Sequence, residues 1–406
     1  MTNEENLMGR RSLLRGVSTL AFSTLLAGCS GRAGTTLRLL ILRGSIPPQF
    51  VGAFQSAYAQ QQSDGVKLNV ESQAQLHMLF SQLQTWTRSP TTNPPQSSFW
   101  DSLMQWIPGV GRSNRTVSDL ATLGDFWLET AIRQKLIAPL DVKSLPGWAT
   151  IAATPQFQQL VTRNSQGQLD PTGQVWAVPY RLGTAVIAYR KDIFAQRNLQ
   201  PPTDWGDLWR ADLRRRISLL DNPREVIGLT LKKLNQSYNI SDLSRVSDLQ
   251  AELQALNQQA KYYSSTSYLQ PLLLDDVWMS LAWSTDVLPL RERNQQIGVI
   301  VPRSGTSLFA DLWVRPAGSA ASLPAAANQW IDFCWQRNYA TQLSLATSAV
   351  SPALIGTAID QLPRGFQDQP ALLPDLEIFK QSEFLLPLTQ ATMQQYRDYW
   401  TEMRQS

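Results

Sequence analysis

One histidine, His77, and two cysteines, Cys29 and Cys334, are all the imidazole and thiol groups in a chain of 406 residues. Tetrahedral zinc sites draw three or four ligands from that pool, which argues against a His/Cys zinc centre. A Ser-His-Asp triad would have to be built around His77 alone. Charge is scarce as well. Asp, Glu, Lys and Arg make up 17% of the residues, against roughly 25% in an average protein. The balance of 36 basic and 32 acidic residues leaves a formal net charge of +4, too weak and dispersed to argue for nucleic acid. No G-x-x-x-x-G-K-[ST] motif occurs, which excludes a Walker-type ATPase. Outside one N-terminal segment no apolar stretch approaches the ~20 residues that span a bilayer, so a polytopic permease is excluded. What is present is a hydrophobic fraction of 43% and 14 tryptophans, enough for one large domain or two ordinary ones with proper cores. Composition therefore leans away from hydrolytic and redox enzymes and towards a binding protein, with no cofactor or metal expected.

Residues 1–28 read as an export signal. Gly9-Arg10-Arg11-Ser12-Leu13-Leu14-Arg15 precedes an apolar run from Val17 to Ala27, too short for a membrane span and normal for a signal-peptide core. The paired arginines resemble a twin-arginine signal; a Sec-type signal with adjacent arginines is the alternative. Leu26-Ala27-Gly28-Cys29 resembles a lipobox, in which Cys29 is lipidated and becomes the new N-terminus. The other reading is an unmodified Cys29 beside an ordinary cleavage site. Two or more acyl chains hold a protein stably on a membrane surface. Residues 29–36 would then form a lipidated tether. Cys334, within Trp330-Ile331-Asp332-Phe333-Cys334-Trp335, has the helical apolar pattern of a core residue.

The body begins strand, helix, strand, helix: Leu37–Leu42, Phe50–Gln61, Val66–Val70 and Leu76–Trp86, the start of an α/β domain with a largely parallel sheet. Residues 87–118 break the rhythm with Pro90, Pro94-Pro95 and Pro108-Gly109 around Phe99, Trp100, Met104 and Trp106. An insertion packed on its own aromatics explains this segment; a lid, a membrane contact or a partner surface are the other readings. A helix is expected from about Asp125 to Lys135. Strands are expected at Trp176–Tyr180 and Thr184–Tyr189, separated by Gly183, and at Ile217–Leu220 and Gly298–Pro302. Further helices are expected at Arg224–Leu234, Val246–Gln259, Ala325–Arg337 and Thr389–Met403.

From Val178-Pro179-Tyr180-Arg181-Leu182-Gly183-Thr184-Ala185 onward the chain resembles the spermidine/putrescine-binding proteins of ABC importers. Asp204-Trp205-Gly206-Asp207-Leu208-Trp209 and Leu219-Leu220-Asp221-Asn222-Pro223-Arg224-Glu225-Val226 follow in the same order. So do Leu281-Ala282-Trp283-Ser284, Val301-Pro302 to Asp311, and Tyr396-Arg397-Asp398-Tyr399-Trp400. The resemblance runs over about residues 37–402. It implies a two-lobed α/β venus-flytrap fold, each lobe a mainly parallel sheet flanked by helices. Lobe 1 would comprise 37–179 plus about 312–355, and lobe 2 would comprise 180–311 plus about 356–406. Ligand-driven closure of such lobes is hinge motion. The implied partners are a small polyamine cation, an inner-membrane ABC permease and, through the anchor, the membrane surface. The implied location is periplasmic.

A polyamine calls for carboxylates spaced along a cleft, with charge-assisted hydrogen bonds at its ends. Aromatic faces along its stem each add about 0.5–2 kcal/mol. Among the matching positions, Glu225 and Asp311 are the expected carboxylate contacts, and Trp283 and Phe309 the expected rings. Glu225 also reads as part of a helix cap with Asn222 and Pro223; Asp311 as a turn or cap residue; the two rings as core. Other matching positions depart from the family pattern. Leu42-Arg43-Gly44-Ser45-Ile46 stands where an aromatic–acid–aromatic cluster is usual. Asn222 replaces an acid, Ala349 an aromatic, and Gly124 and Phe126 flank Asp125, a possible substitute acid. Ser45, Asn222, Asp125 and Phe126 complete the candidate set. The alternatives are another solute on the same fold or an enzyme on this fold. For the first, Arg43 and Arg181 would face an anion or lie solvated at the surface. Tyr262-Tyr263 is the only pair resembling an iron site. An enzyme would need an acid–base pair in the cleft, to which nothing in the sequence points.

Overall fold

The computed structural model describes residues 35–62, 64–87 and 116–405. The export signal, the Cys29 lipid site and the body of the 87–118 insertion lie outside the described residues. So does most of the 29–36 tether, although Thr35 and Thr36 already belong to the first strand.

The strands that build the main sheet are, in chain order, β1 (Thr35–Leu42), β2 (Val66–Gln73), β3 (Leu120–Gly124), β4 (Ala177–Arg190), β5 (Ile217–Leu219), β6 (Ala260–Tyr263), β7 (Met279–Trp283), β8 (Ile297–Ile300) and β9 (Ser307–Pro316). They pair in the order β2-β1-β3-β9-β4-β7-β5-β6, with β8 also on β4. In β1, Leu37, Leu39, Leu40 and Ile41 are all buried, because a parallel strand covered on both faces has no reason to alternate. Helix α1 (Pro48–Gln61) starts on Pro48, whose locked φ and missing N–H suit the first turn. Its Phe50, Phe54 and Tyr58, at helical spacing, turn into the core. Phe50 and Phe54 meet Trp330 edge-on, with ring centroids 5.8 and 5.1 Å apart.

The two runs expected either side of Gly183 are one strand, β4. Its first half pairs antiparallel with β9 and its second half with β7 and β8. β9 itself was not among the expected strands; it pairs antiparallel with both β3 and β4. Two hydrophobic cores lie along the sheet, and β4 passes between them, Leu182 in the first and Ala185 in the second. Leu362, Phe366, Leu372, Phe379 and Phe384 pack into the first core, and only Leu388, Tyr396 and later residues join the second.

Helices α2 (Leu76–Thr87), α3 (Pro223–Lys233), α4 (Leu249–Gln259) and α5 (Ala325–Trp335) follow in chain order, so the helix expected over Ala325–Arg337 stops at Trp335. Gln336 is extended (φ −61°, ψ 130°), and a new helix, α6 (Arg337–Thr347), follows at once. That break brings Tyr339 against Phe333, with ring centroids 3.7 Å apart. The last helix, α7 (Gln390–Gln405), packs on α3 and α4. Among the described residues no helix is long and apolar enough to cross a membrane.

Candidate functional site

Side chains alternate along a strand, so Ser307, Phe309 and Asp311 of β9 share one face, while Leu308, Ala310 and Leu312 turn into the first core. Across the antiparallel ladder Phe309 stands opposite Gly183, and Asp311 opposite Arg181. This face belongs to the strands that carry the chain between the two cores. Expected residues from three other segments, Glu225, Trp283 and Asp125, meet these strands.

Glu225 comes from the first turn of α3. Asn222 caps that helix, its Oδ1 accepting from the N–H groups of Arg224 (3.0 Å) and Glu225 (3.4 Å), and Pro223 follows at the first helical position. The Glu225 carboxylate takes no part in the cap. Its Oε2 accepts the Ser307 hydroxyl at 2.6 Å, and its Oε1 accepts Trp283 Nε1–H at 3.4 Å. Glu225 is 5% exposed, and burial pushes its pKa up despite the Ser307 and Trp283 donors and the nearby Arg224 cation. Arg224 is held elsewhere. Its guanidinium donates to the Tyr238 carbonyl and the Tyr396 hydroxyl, tying α3 to α7. Trp283 closes β7, with Tyr268 edge-on to its indole at 5.7 Å.

Asp311 is buried, and its Oδ2 accepts Arg181 Nε–H at 2.5 Å. Arg181 is neither solvated surface nor open to an anion, as the two readings had it; its side chain is 11% exposed and paired. Burial, the largest influence, works against its charge, but Asp311 and Tyr180 together outweigh it and raise its pKa. Asp125 begins a 3-10 turn, Asp125–Trp127, that continues as the helix Leu128–Arg133. Although the residue is half-buried, burial of its carboxyl group pushes the pKa from 3.8 up to about 7. The N–H groups of Ala310 and Phe126 pull the other way, and the Asp311 charge adds to the rise. Among the described residues neither Asp125 nor Glu225 forms an ion pair, whereas Asp311 does.

Phe126 is 76% exposed beside Asp125, its ring edge-on to Trp127. Ser45 is not part of the assembled face. It is wholly buried beside the Tyr180 hydroxyl, which in turn meets Thr122 Oγ1 at 3.1 Å. Arg43 is exposed and Ala349 buried. Sequence reasoning missed Ser307. Two-residue alternation back from Asp311 through Phe309 would have pointed to it. It also missed the Arg181–Asp311 pair, which depends on strand register. A cavity of about 640 Å³ between α1 and α5, lined by Phe54, Tyr58, Asp332 and Trp335, includes none of the expected residues.

Two α/β lobes joined by paired crossing strands, with polar and aromatic side chains gathered on the crossing face, define a two-lobed solute-binding architecture. Residues 116–382 match the bacterial extracellular solute-binding protein family, and the chain belongs to it. It is 24% identical over 232 residues to spermidine/putrescine-binding periplasmic protein 1 of Haemophilus influenzae, an alignment covering 57% of this chain and 62% of that one. The match thus spans less than two thirds of that relative. With the spermidine/putrescine-binding periplasmic protein of Escherichia coli it is 22% identical over 286 residues, 70% of this chain and 77% of the relative. The spermidine/putrescine ABC transporter substrate-binding protein PotD of Streptococcus pneumoniae superposes with a TM-score of 0.73 at 19% identity, covering 92% of this chain and 99% of that one. A cyclic alpha-maltosyl-1,6-maltose binding protein of Arthrobacter globiformis superposes at 0.63 with 14% identity, covering 91% and 93%. These two likenesses establish the fold alone, and the second shows that one fold accommodates different solutes.

Proposed function

We propose that this chain is the solute-capturing subunit of an ABC importer. It takes a polyamine-like cation between its lobes and delivers it to a permease. The observation that carries the reading is Glu225, a buried carboxylate whose oxygens are held by neutral donors, Ser307 and Trp283, rather than by a protein cation. A buried carboxylate so placed gains most from an added cation, because charge-assisted hydrogen bonds are the strong ones. Trp283, Phe309 and the exposed Phe126 supply apolar faces for the methylene stem, and Asp125 a second acid. The names of the relatives support the same class of solute. In this reading the described residues of 35–182 and 308–384 form one lobe and 185–301 and 388–403 the other, and the strands β4 and β9 form the hinge. Ligand favours closure only by the difference in its affinity for the two forms. The enzyme alternative has no observation in its favour.

We further infer export through the Arg10-Arg11 signal and lipidation at Cys29, which together place the protein on the outer side of the inner membrane. Cys29→Ala should release it to the soluble fraction; unchanged membrane association contradicts the anchor. The solute class is tested by thermal shift with putrescine, spermidine, a divalent metal, phosphate and maltose. A ligand at 100 times its Kd stabilises by about 2.7 kcal/mol, so the amines should raise Tm and the others should not. A shift with phosphate or maltose and none with amines contradicts the reading.

A further inference from the structure

We infer that Arg181 fills the seat of one ligand ammonium at Asp311, leaving a site built for two cationic heads rather than three, a short α,ω-diamine. The inference rests on the polyamine reading above and narrows its substrate class.

Three carboxylates lie along β9: Glu225 bonded to the Ser307 hydroxyl, Asp125 at the Ala310 backbone N–H and close enough to Asp311 to feel its charge, and Asp311 itself. Among the described residues only Asp311 of the three carries an ion pair, and its partner is a side chain of the same sheet, directly opposite in register. Both members are almost wholly enclosed, at 11% and 9% exposure, so the pair is part of the fold and not a mobile surface contact. A buried pair contributes no net charge to its surroundings, and a third ammonium brought to Asp311 would meet the Arg181 cation as well. The two acids that remain are associated with Ser307 and Ala310, three residues apart, which places their anchor points about 10 Å apart along the strand. Phe309 lies between those anchors. A chain of a few methylenes with an ammonium at each end fits acid, ring and acid in turn. A triamine would leave one cation enclosed without a counter-charge, which is costly.

The test is calorimetric titration of the full chain with putrescine and spermidine, in wild type, Arg181→Met and the double variant Arg181→Met/Asp311→Asn. Wild type should prefer the diamine. Arg181→Met frees Asp311 and should shift the affinity ratio towards the triamine by about tenfold, the scale of one charge–charge contact in a partly buried site. The double variant replaces the pair by neutral groups and should keep wild-type diamine affinity within about threefold, since a buried pair is often replaceable without loss. Should Arg181→Met fail to fold, the double variant decides, because loss of diamine binding there by more than about tenfold would mean that Asp311 itself seats the ligand. An unchanged ratio in a folded Arg181→Met, with amines bound, overturns this inference alone. Absence of binding of either amine to wild type overturns the polyamine reading and this inference with it.

Discussion

The Phe309 ring covers the α-carbon of Gly183, its partner across the β4–β9 ladder: a Cβ built on Gly183 would come within 2.1 Å of the ring tip. The missing side chain is what lets the ring lie across the crossing strands, where the proposed reading has it face the solute.

Gly183→Ala should therefore displace Phe309 and destabilise the protein by about 1–3 kcal/mol, the usual cost of overpacking. Adding Phe309→Ala should recover much of that loss, whereas independent sites would give additive losses. Denaturant melts of the four proteins of the cycle decide between the two, and additive losses would show that the ring does not constrain Gly183.

The same pair marks the limit of what the chain discloses unaided. Spacing alone identified α1 through Phe50, Phe54 and Tyr58, and β1 through its apolar run. It also placed a helix start at Asn222-Pro223, where the cap is found. Gly183 read as a break because its Cβ space is filled by a ring 126 positions away, a contact outside any local window. Arg181 and Asp311 are 130 positions apart, and only the register of β4 on β9 brings them together. Family resemblance pointed to Glu225, Asp311, Trp283 and Phe309 as candidates; what each is bonded to was not legible. The Glu225 carboxylate looked like a cap because its position in the helix permits one, and tertiary partners claimed it instead.

If Asp125 is the second acid of the proposed site, cation binding should depend on pH. Burial, its largest influence, raises the carboxyl group from 3.8 to about 7, so the folded chain holds this proton more tightly than the unfolded one. The resulting stabilisation is fully present below about pH 4 and is lost as pH rises through about 7. A bound ammonium favours the ionised form, so binding should release protons, and affinity should rise between about pH 6 and 8. Asp311 and Arg163 also act on this carboxyl group and are present throughout. Calorimetry in buffers of different ionisation enthalpy measures the release. Equal release from wild type and Asp125→Asn would contradict the assignment.

Asn222 acts through its cap. Asn222→Ala should cost about 1 kcal/mol of stability, and amine affinity should fall only as far as Glu225 is loosened. Asn222→Asp keeps the cap and places an anion at the helix N-terminus, a favourable position; its Tm should match wild type. A melt for each variant tests this, and an Ala variant as stable as wild type would show that the cap contributes nothing.

The most direct test of a cation seat at Glu225 is calorimetric titration of wild type and Glu225→Gln with putrescine, with melts on the same samples. The substitution keeps the shape and removes the charge, so binding should weaken by about 1.5–3 kcal/mol, the range for hydrogen bonds to charged groups. Because burial already disfavours the Glu225 carboxylate, Tm should stay level or rise. Saturable one-to-one binding in wild type and that loss in the variant is the predicted result. Equal putrescine affinity in the two proteins would contradict the account.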